Sequence, residues 1–182
     1  MYKTRDLINK DLSRYYGYYH KNEKISMHMT ILYTFAYFVV SRGFRAVFCY
    51  RISNYLYKNN KGLYYPFKFF DLIFNSIEIS STAEIGPGLL LPHNQCIVIG
   101  GGKIGKNVSV FQGVTIGLKK NLNEYPTIGD DVQIGAGAKI LGNIKIGDNS
   151  RIGANAVVLK DIPNDSIAAG IPAKVIGKNL KI

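Results

Sequence analysis

The chain has 182 residues, room for one large or two small domains, and 47% of them are hydrophobic, which suits a packed core. Two cysteines, Cys49 and Cys96, exclude a disulfide framework and show no metal-type spacing. The formal net charge of +11 would suit a polyanion, but no nucleic-acid-binding motif accompanies it, so nucleic acid is set aside as a partner.

The start, Met1-Tyr2-Lys3-Thr4-Arg5-Asp6, is polar and leads into no apolar h-region, which points to the cytoplasm rather than to secretion. The most apolar stretch, Met27 to Ser41, is interrupted by His28, Thr30 and Thr34 and stops at Arg42, short of the ~20 residues that cross a bilayer. Residues 1–76 read as helical. Asp6, Leu7, Ile8, Asp11 and Leu12 open an amphipathic segment that is expected to end around Tyr16-Gly17. A second helix is expected from about Ser26 to Val40. A third runs from Phe44 to Lys58, where Phe44, Val47, Phe48, Arg51, Ile52 and Tyr55 keep three-and-four spacing. Asn59-Asn60-Lys61-Gly62 supplies a stop, and a short fourth helix, Pro66 to Phe74, carries its proline in the first turn. This region holds 12 Lys/Arg against 4 Asp/Glu and most of the aromatics. Its aromatic faces are expected to pack on the following domain and on neighbouring subunits; the composition also suits peripheral contact with the inner face of a membrane.

The pattern changes near Ser76, beyond which 16 of the 19 glycines lie. Every sixth residue from Ile104 is aliphatic: Ile104, Val110, Ile116, Leu122, Ile128, Ile134, Ile140, Ile146, Ile152 and Val158. An earlier phase, Ile79, Ile85, Leu91 and Ile97, joins it after one extra residue in Gly100-Gly101-Gly102. Glycine follows the aliphatic position at Gly86, Gly105, Gly117, Gly129, Gly135, Gly147 and Gly153. Six is neither the helix period nor the simple strand period. It describes a β-helix that stacks one inward aliphatic side chain per face. The glycines are expected to supply corner conformations that a Cβ resists. Residues 163–182 are expected to cap the last coil, where an open solenoid would expose unpaired strand edges. The expected fold is therefore mainly β: a helical region, 1–76, and a hexapeptide-repeat solenoid, 77–182, with a loop at 117–127.

One histidine, His93, lies in the solenoid, between the apolar runs Leu89-Leu90-Leu91 and Ile97-Val98-Ile99. Glu78, 15 residues upstream, would sit about one coil away if a coil holds three hexapeptides. A carboxylate in reach of an imidazole fixes its tautomer and raises its basicity, so the two have the composition of a general base with its orienting partner. A lone histidine is as often structural. Cys96 beside His93 admits a covalent acyl-enzyme, although a lone cysteine is commonly a small buried hydrophobe.

The chain resembles the left-handed β-helix acyltransferases, in particular the serine acetyltransferase-like group that includes bacterial polysaccharide O-acetyltransferases. The resemblance is carried by Gly43-Phe44-Arg45-Ala46-Val47-Phe48-Cys49-Tyr50-Arg51-Ile52, Ala83-Glu84-Ile85-Gly86-Pro87-Gly88, Pro92-His93 and Val108-Ser109-Val110-Phe111-Gln112-Gly113-Val114-Thr115-Ile116-Gly117. It continues through Ile134-Gly135-Ala136-Gly137-Ala138-Lys139-Ile140-Leu141-Gly142-Asn143-Ile144 and Gly170-Ile171-Pro172-Ala173-Lys174-Val175-Ile176-Gly177. It implies that His93 deprotonates an acceptor hydroxyl, that Glu78 supports it, and that the hydroxyl attacks acetyl-CoA directly without a metal. It further implies a homotrimer, with trimers able to pair, and acetyl-CoA between adjacent solenoids. Gly117, Ala136 and Ala154 would then meet the pantetheine arm, and Arg151, Lys160 and Lys174 its phosphates. A γ-type carbonic anhydrase shares the fold but needs three zinc-ligating histidines, which one histidine cannot supply.

For the acceptor, three departures favour a sugar hydroxyl of a bacterial surface polysaccharide over serine. Serine acetyltransferases carry an Asp-Pro-Ala motif that helps hold serine, whereas the stretch from Ile25 to Arg42 contains no acid. They carry Arg-His before the proline of the 117–127 loop, where this chain has Glu124-Tyr125. Their helical region is also longer. Serine O-acetylation is the alternative; a C-terminal isoleucine, as at Ile182, is a feature of some of those enzymes.

Overall fold

The computed structural model describes residues 2–20, 25, 27–59, 62–120 and 124–179. Among these, four α-helices lead into fourteen short strands: α1 (Thr4–Tyr19), α2 (Thr30–Val40), α3 (Arg42–Lys58) and α4 (Tyr64–Phe70) come first. A 3-10 turn, Met27–Met29, precedes α2, and a π turn, Asp71–Asn75, continues α4. α1 runs past Gly17, where an end was expected. The Tyr16 ring stacks on His20 at 4.3 Å and meets Tyr33 at 5.1 Å, so tertiary contacts hold the last turn against glycine's ~1 kcal/mol cost. α3 begins two residues before the expected Phe44 because the Ser41 side chain caps it, accepting from the Phe44 N–H at 3.3 Å. The helices end at Asn75; Ser76, at φ 51°, turns the chain into the first strand.

The strands form three faces of a prism. Face one holds β1 (Ile77–Ile79), β3 (Ile97–Ile99), β6 (Thr115–Gly117), β9 (Lys139–Leu141) and β12 (Val157–Val158). Face two holds β2 (Glu84–Ile85), β4 (Lys103–Ile104), β7 (Thr127–Ile128) and β10 (Lys145–Ile146). Face three holds β5 (Ser109–Val110), β8 (Gln133–Ile134), β11 (Arg151–Ile152), β13 (Ser166–Gly170) and β14 (Ala173–Lys178). All pairings are parallel except β13 with β14, an antiparallel hairpin at the C-terminal end of face three. Gln133 pairs with Arg151 and Lys139 with Val157, each eighteen residues on, which is three hexapeptides per coil. Thr115 pairs with Lys139 and Lys103 with Thr127, twenty-four residues on. The loop at 117–127 therefore adds one hexapeptide's length, and the six-residue series passes through it unbroken; Leu122 lies outside the described residues.

The series fills the prism. Ile104, Val110, Ile116, Ile128, Ile134, Ile140, Ile146, Ile152 and Val158 are each at most 4% exposed, and each contributes about 1.5–3 kcal/mol by leaving water. The glycines that follow them serve differently from expectation. Gly86, Gly105 and Gly129 do not take positive φ; a Cβ on Gly86 would lie 2.7 Å from the carbonyl of Gly105, and one on Gly105 2.6 Å from that of Gly129. Stacking distance, not backbone freedom, excludes a side chain there. The left-handed positions fall elsewhere, on Asn107, Asp131, Asn149, Asn155 and Asp165 among others.

A polar clamp fastens the helices to the first coil. Arg51 of α3 and Asp11 of α1 pair at 2.8 Å and are 3% and 0% exposed. Arg51 also donates to the carbonyls of Ile85 (2.6 Å) and Gly86 (2.7 Å), and Asp11 accepts from the N–H groups of Gly88 (2.7 Å) and Leu89 (3.0 Å). Nearby, Tyr50 donates to the Ala83 carbonyl at 2.7 Å. Replacing Asp11 by Ala strands a buried guanidinium and two backbone donors, so Asp11→Ala is expected to lose about 3–5 kcal/mol. Removing both charges in Asp11→Ala/Arg51→Met should cost less than the sum of the single changes. Urea unfolding of the three variants checks both statements.

Candidate active site

His93 stands at the corner where the first coil passes from face three to face one. Its neighbours in sequence are held on every side. Leu91 donates its N–H to Tyr15 Oη of α1 at 2.8 Å, and Gly43 lies against the Leu91 carbonyl, where any Cβ would collide. Asn94, 2% exposed, donates through Nδ2 to the Asn75 carbonyl at 2.6 Å. The Cys96 N–H reaches the Ser76 carbonyl at 2.8 Å, and the Gln95 carbonyl accepts from Gly113 at 2.9 Å. The backbone is fixed while the imidazole is exposed. Cys96 is exposed too, at φ 57°.

Behind this turn lies a second polar chain. Arg45 Nε donates to Asn75 Oδ1 at 2.9 Å, and Asn75 Nδ2 donates to Asp71 Oδ1 at 2.6 Å. Burial pushes the Asp71 carboxyl up to about 7, against the opposing pull of Asn75 and Arg45. In front of the turn, His93, Pro92, Asn94 and Gln95 form one wall of a cavity of about 510 Å³. Its other walls are Tyr19 and His20 at the end of α1, Tyr33, Ala36, Tyr37 and Val40 of α2, and Ser41, Arg42 and Gly43.

The corner repeats along the solenoid. Gly137 donates to the Gln112 carbonyl and Asn155 to the Ala136 carbonyl, both at 2.8 Å, and the His93 and Phe111 rings are 6.5 Å apart. His93, Phe111, Ala136 and Ala154 thus mark successive coils on one edge. Three strand spacings separate the first from the last, about 14 Å. The other residues expected around acetyl-CoA are not on this edge. Gly117 ends β6 and Lys160 follows β12, across face one on its far border, and Arg151 and Lys174 belong to face three. Glu78 is exposed at the centre of β1, opposite Val98, and lines a different cavity with Tyr50, Lys68 and Asp71. Among the described residues no hydrogen bond joins Glu78 to His93. Tyr125 of the 117–127 loop lies over Gly100 and Gly101, so that a Cβ there would come within 3.0–3.2 Å of its ring. The triple glycine makes room for this ring, also on the far border of face one.

A triangular solenoid of six-residue repeats with one histidine on an edge that it shares with Phe111, Ala136 and Ala154 defines a hexapeptide-repeat transferase. The model of the bacterial transferase hexapeptide (six repeats) family matches residues 125–160. Serine acetyltransferase of Buchnera aphidicola (subsp. Acyrthosiphon pisum) is 43% identical over 144 residues, 75% of this chain and 52% of the relative. Neisseria gonorrhoeae serine acetyltransferase in complex with serine matches with a TM-score of 0.82 at 32% identity, over 96% of this chain and 69% of that one. A serine acetyltransferase in complex with CoA gives a TM-score of 0.80 at 34% identity, over 95% and 69%. The chain belongs to the serine acetyltransferase family, with the left-handed parallel β-helix of the hexapeptide-repeat acyltransferases. It spans about half to two thirds of the length of the curated relatives it matches.

These relatives overturn the polysaccharide acceptor. About 40% identity over three quarters of the chain, together with structures aligned over nearly all of it, favours serine acetyltransferase over the glycan reading. That reading rested on the brevity of the helical region and on single motif positions, none of which carries the geometry of an acceptor pocket.

Asp71 provides a test of the support behind His93. Its folded-state value near 7 exceeds the ordinary 3.8, so the folded chain binds the extra proton between those limits. The Asp71 contribution to stability is full below about pH 4 and is lost as pH rises towards 7. Asp71→Asn, isosteric and uncharged, should melt higher than the parent above pH 7, with the difference closing towards pH 4. Thermal melts of both proteins from pH 4 to 8 measure it.

Proposed function

We propose that the chain is an acetyl-CoA-dependent O-acetyltransferase whose acceptor is serine. The observation that carries the reading is His93: a single exposed imidazole on a fixed turn, open to the cavity beneath α2 and aligned with Ala136 and Ala154 along one edge. The kinship with serine acetyltransferases, one solved with serine and another with CoA, supports both substrates. The edge suits an extended acyl carrier. Ala136 and Ala154 project no more than a methyl, and backbone groups stay within reach of a ligand only where side chains are this short.

In this mechanism His93 accepts the proton of the serine hydroxyl as its oxygen attacks the thioester carbonyl of acetyl-CoA. The carbon–sulfur bond then breaks, the proton passes from the imidazolium to the departing thiolate, and O-acetylserine and CoA leave. Negative charge builds on the thioester oxygen in the tetrahedral intermediate and leaves with the sulfur as the carbonyl re-forms, so one imidazole can serve both proton transfers. Glu78 would act on His93 only through a rearrangement or a neighbouring copy. A homotrimer is the assembly in which an adjacent solenoid would close the edge over acetyl-CoA.

His93→Ala should lose about 10²- to 10⁴-fold in kcat, the usual worth of a general base, while keeping its melting temperature, because the exposed ring supports nothing. Thiol release from acetyl-CoA in the presence of L-serine measures it. A variant with parental turnover would remove His93 from the mechanism.

A further inference from the structure

Among the described residues, the cavity beneath α2 is lined by one cation whose role the fold does not explain. Arg45 is bound by Asn75, Phe38 and Val39, and Arg51 by Asp11, Ile85 and Gly86. Arg42 lines the cavity, is exposed, and among the described residues its guanidinium has neither a hydrogen-bond nor an ion-pair partner. It is the first residue of α3, where the positive end of a seventeen-residue helix adds charge of the same sign. The Ser41 cap and the contact of Gly43 with Leu91 fix this point of the backbone against the turn that carries His93. Among the described residues no carboxylate lines the cavity, and the sequence from Ile25 to Arg42 has none. Tyr19, His20, Tyr33 and Tyr37 also line the cavity.

We infer that Arg42 is the acceptor-recognition residue: it binds the carboxylate of a short hydroxy acid and so presents the hydroxyl to His93. This rests on the functional reading above and deepens it. A guanidinium grips a carboxylate through two parallel N–H···O bonds, which fixes orientation as well as position. The ammonium of serine would then have tyrosine side chains beside it and, among the described residues, no acid, and aromatic rings attract a cation only modestly. The acceptor class is therefore set by the carboxylate and the hydroxyl, and the amino group is dispensable.

The test compares L-serine, L-serinamide and glycerate as acceptors for the parent, Arg42→Gln and Arg42→Lys, by thiol release from acetyl-CoA. The parent should use serine and glycerate and should disfavour serinamide at least tenfold in kcat/KM. Arg42→Gln should raise the serine KM 10- to 100-fold, the range of charge-assisted hydrogen bonds, with the KM for acetyl-CoA and the serinamide reaction unmoved. Arg42→Lys, keeping the charge without the fork, should fall between. Melting curves within a degree of the parent establish that the variants fold. Serine turnover with an unchanged KM in Arg42→Gln overturns the role of Arg42 and leaves the functional reading standing. Refusal of glycerate alongside good serine turnover overturns the dispensable ammonium. A parent that acetylates none of the three overturns both readings together.

Discussion

The ion pair between Asp11 and Arg51 is the joint on which the site depends. The first coil of a β-helix has no preceding coil, so the carbonyls of Ile85 and Gly86 and the N–H groups of Gly88 and Leu89 would be unpaired at its open end. Two side chains, one from each of two helices, satisfy all four and each other. A buried pair of this kind adds little net stability over an apolar contact, because desolvation offsets most of the attraction. Its value is geometric. With six polar contacts, α1 and α3 take one position on the coil, and that position sets Tyr15 and Gly43 against Leu91, two residues before His93.

The solenoid was legible because its determinant is local and periodic. An inward side chain every six residues can be counted without knowing what it meets, and the buried series from Ile104 to Val158 follows that count. What escaped counting was the content of the positions between. Gly86, Gly105 and Gly129 looked like conformational devices and are spacing devices, since the obstacle to a Cβ is the next coil, nineteen to twenty-four residues away. The loop at 117–127 hid its length in the period itself, and the triple glycine gave no hint that a tyrosine from that loop would lie on it. In the helical region, α1 outran its expected end because the partner that held it, Tyr33, lies on another helix.

The joint was not legible at all. Asp11 and Arg51 are 40 residues apart, and the N–H groups that Asp11 accepts from lie 77 and 78 residues from it. Asp11 entered the sequence reading as an amphipathic residue of a first helix, and Arg51 as one position of a three-and-four stripe. Both are polar residues inside, which spacing alone reads as surface. His93 was visible for the opposite reason, as a polar residue where the pattern is otherwise apolar. Asn94 beside it shares that signal and was overlooked, although it anchors the turn. Of the residues expected around acetyl-CoA, Ala136 and Ala154 share an edge with His93, while Gly117, Lys160, Arg151 and Lys174 are distributed over other borders and faces. A linear list of small and basic residues cannot say which edge of a prism each one occupies.

The glycan expectation failed on the same point, and the failure clarifies how the two halves divide the work. A solenoid corner is rigid and nearly invariant from coil to coil, so it can hold an extended acyl carrier in register with one imidazole but offers few ways to choose an acceptor. Choice falls to the helices, which supply most of the cavity wall facing His93. There, the lack of an acid between Ile25 and Arg42, where serine acetyltransferases carry an Asp-Pro-Ala motif, counted against an amino-acid acceptor. The same segment ends in a guanidinium that has no partner among the described residues. A zwitterion can be held by either of its charges, and the stronger, more directional grip available in this cavity is on the carboxylate. On the inference drawn for Arg42, what looked like a missing feature is a different choice of which end of the acceptor is held.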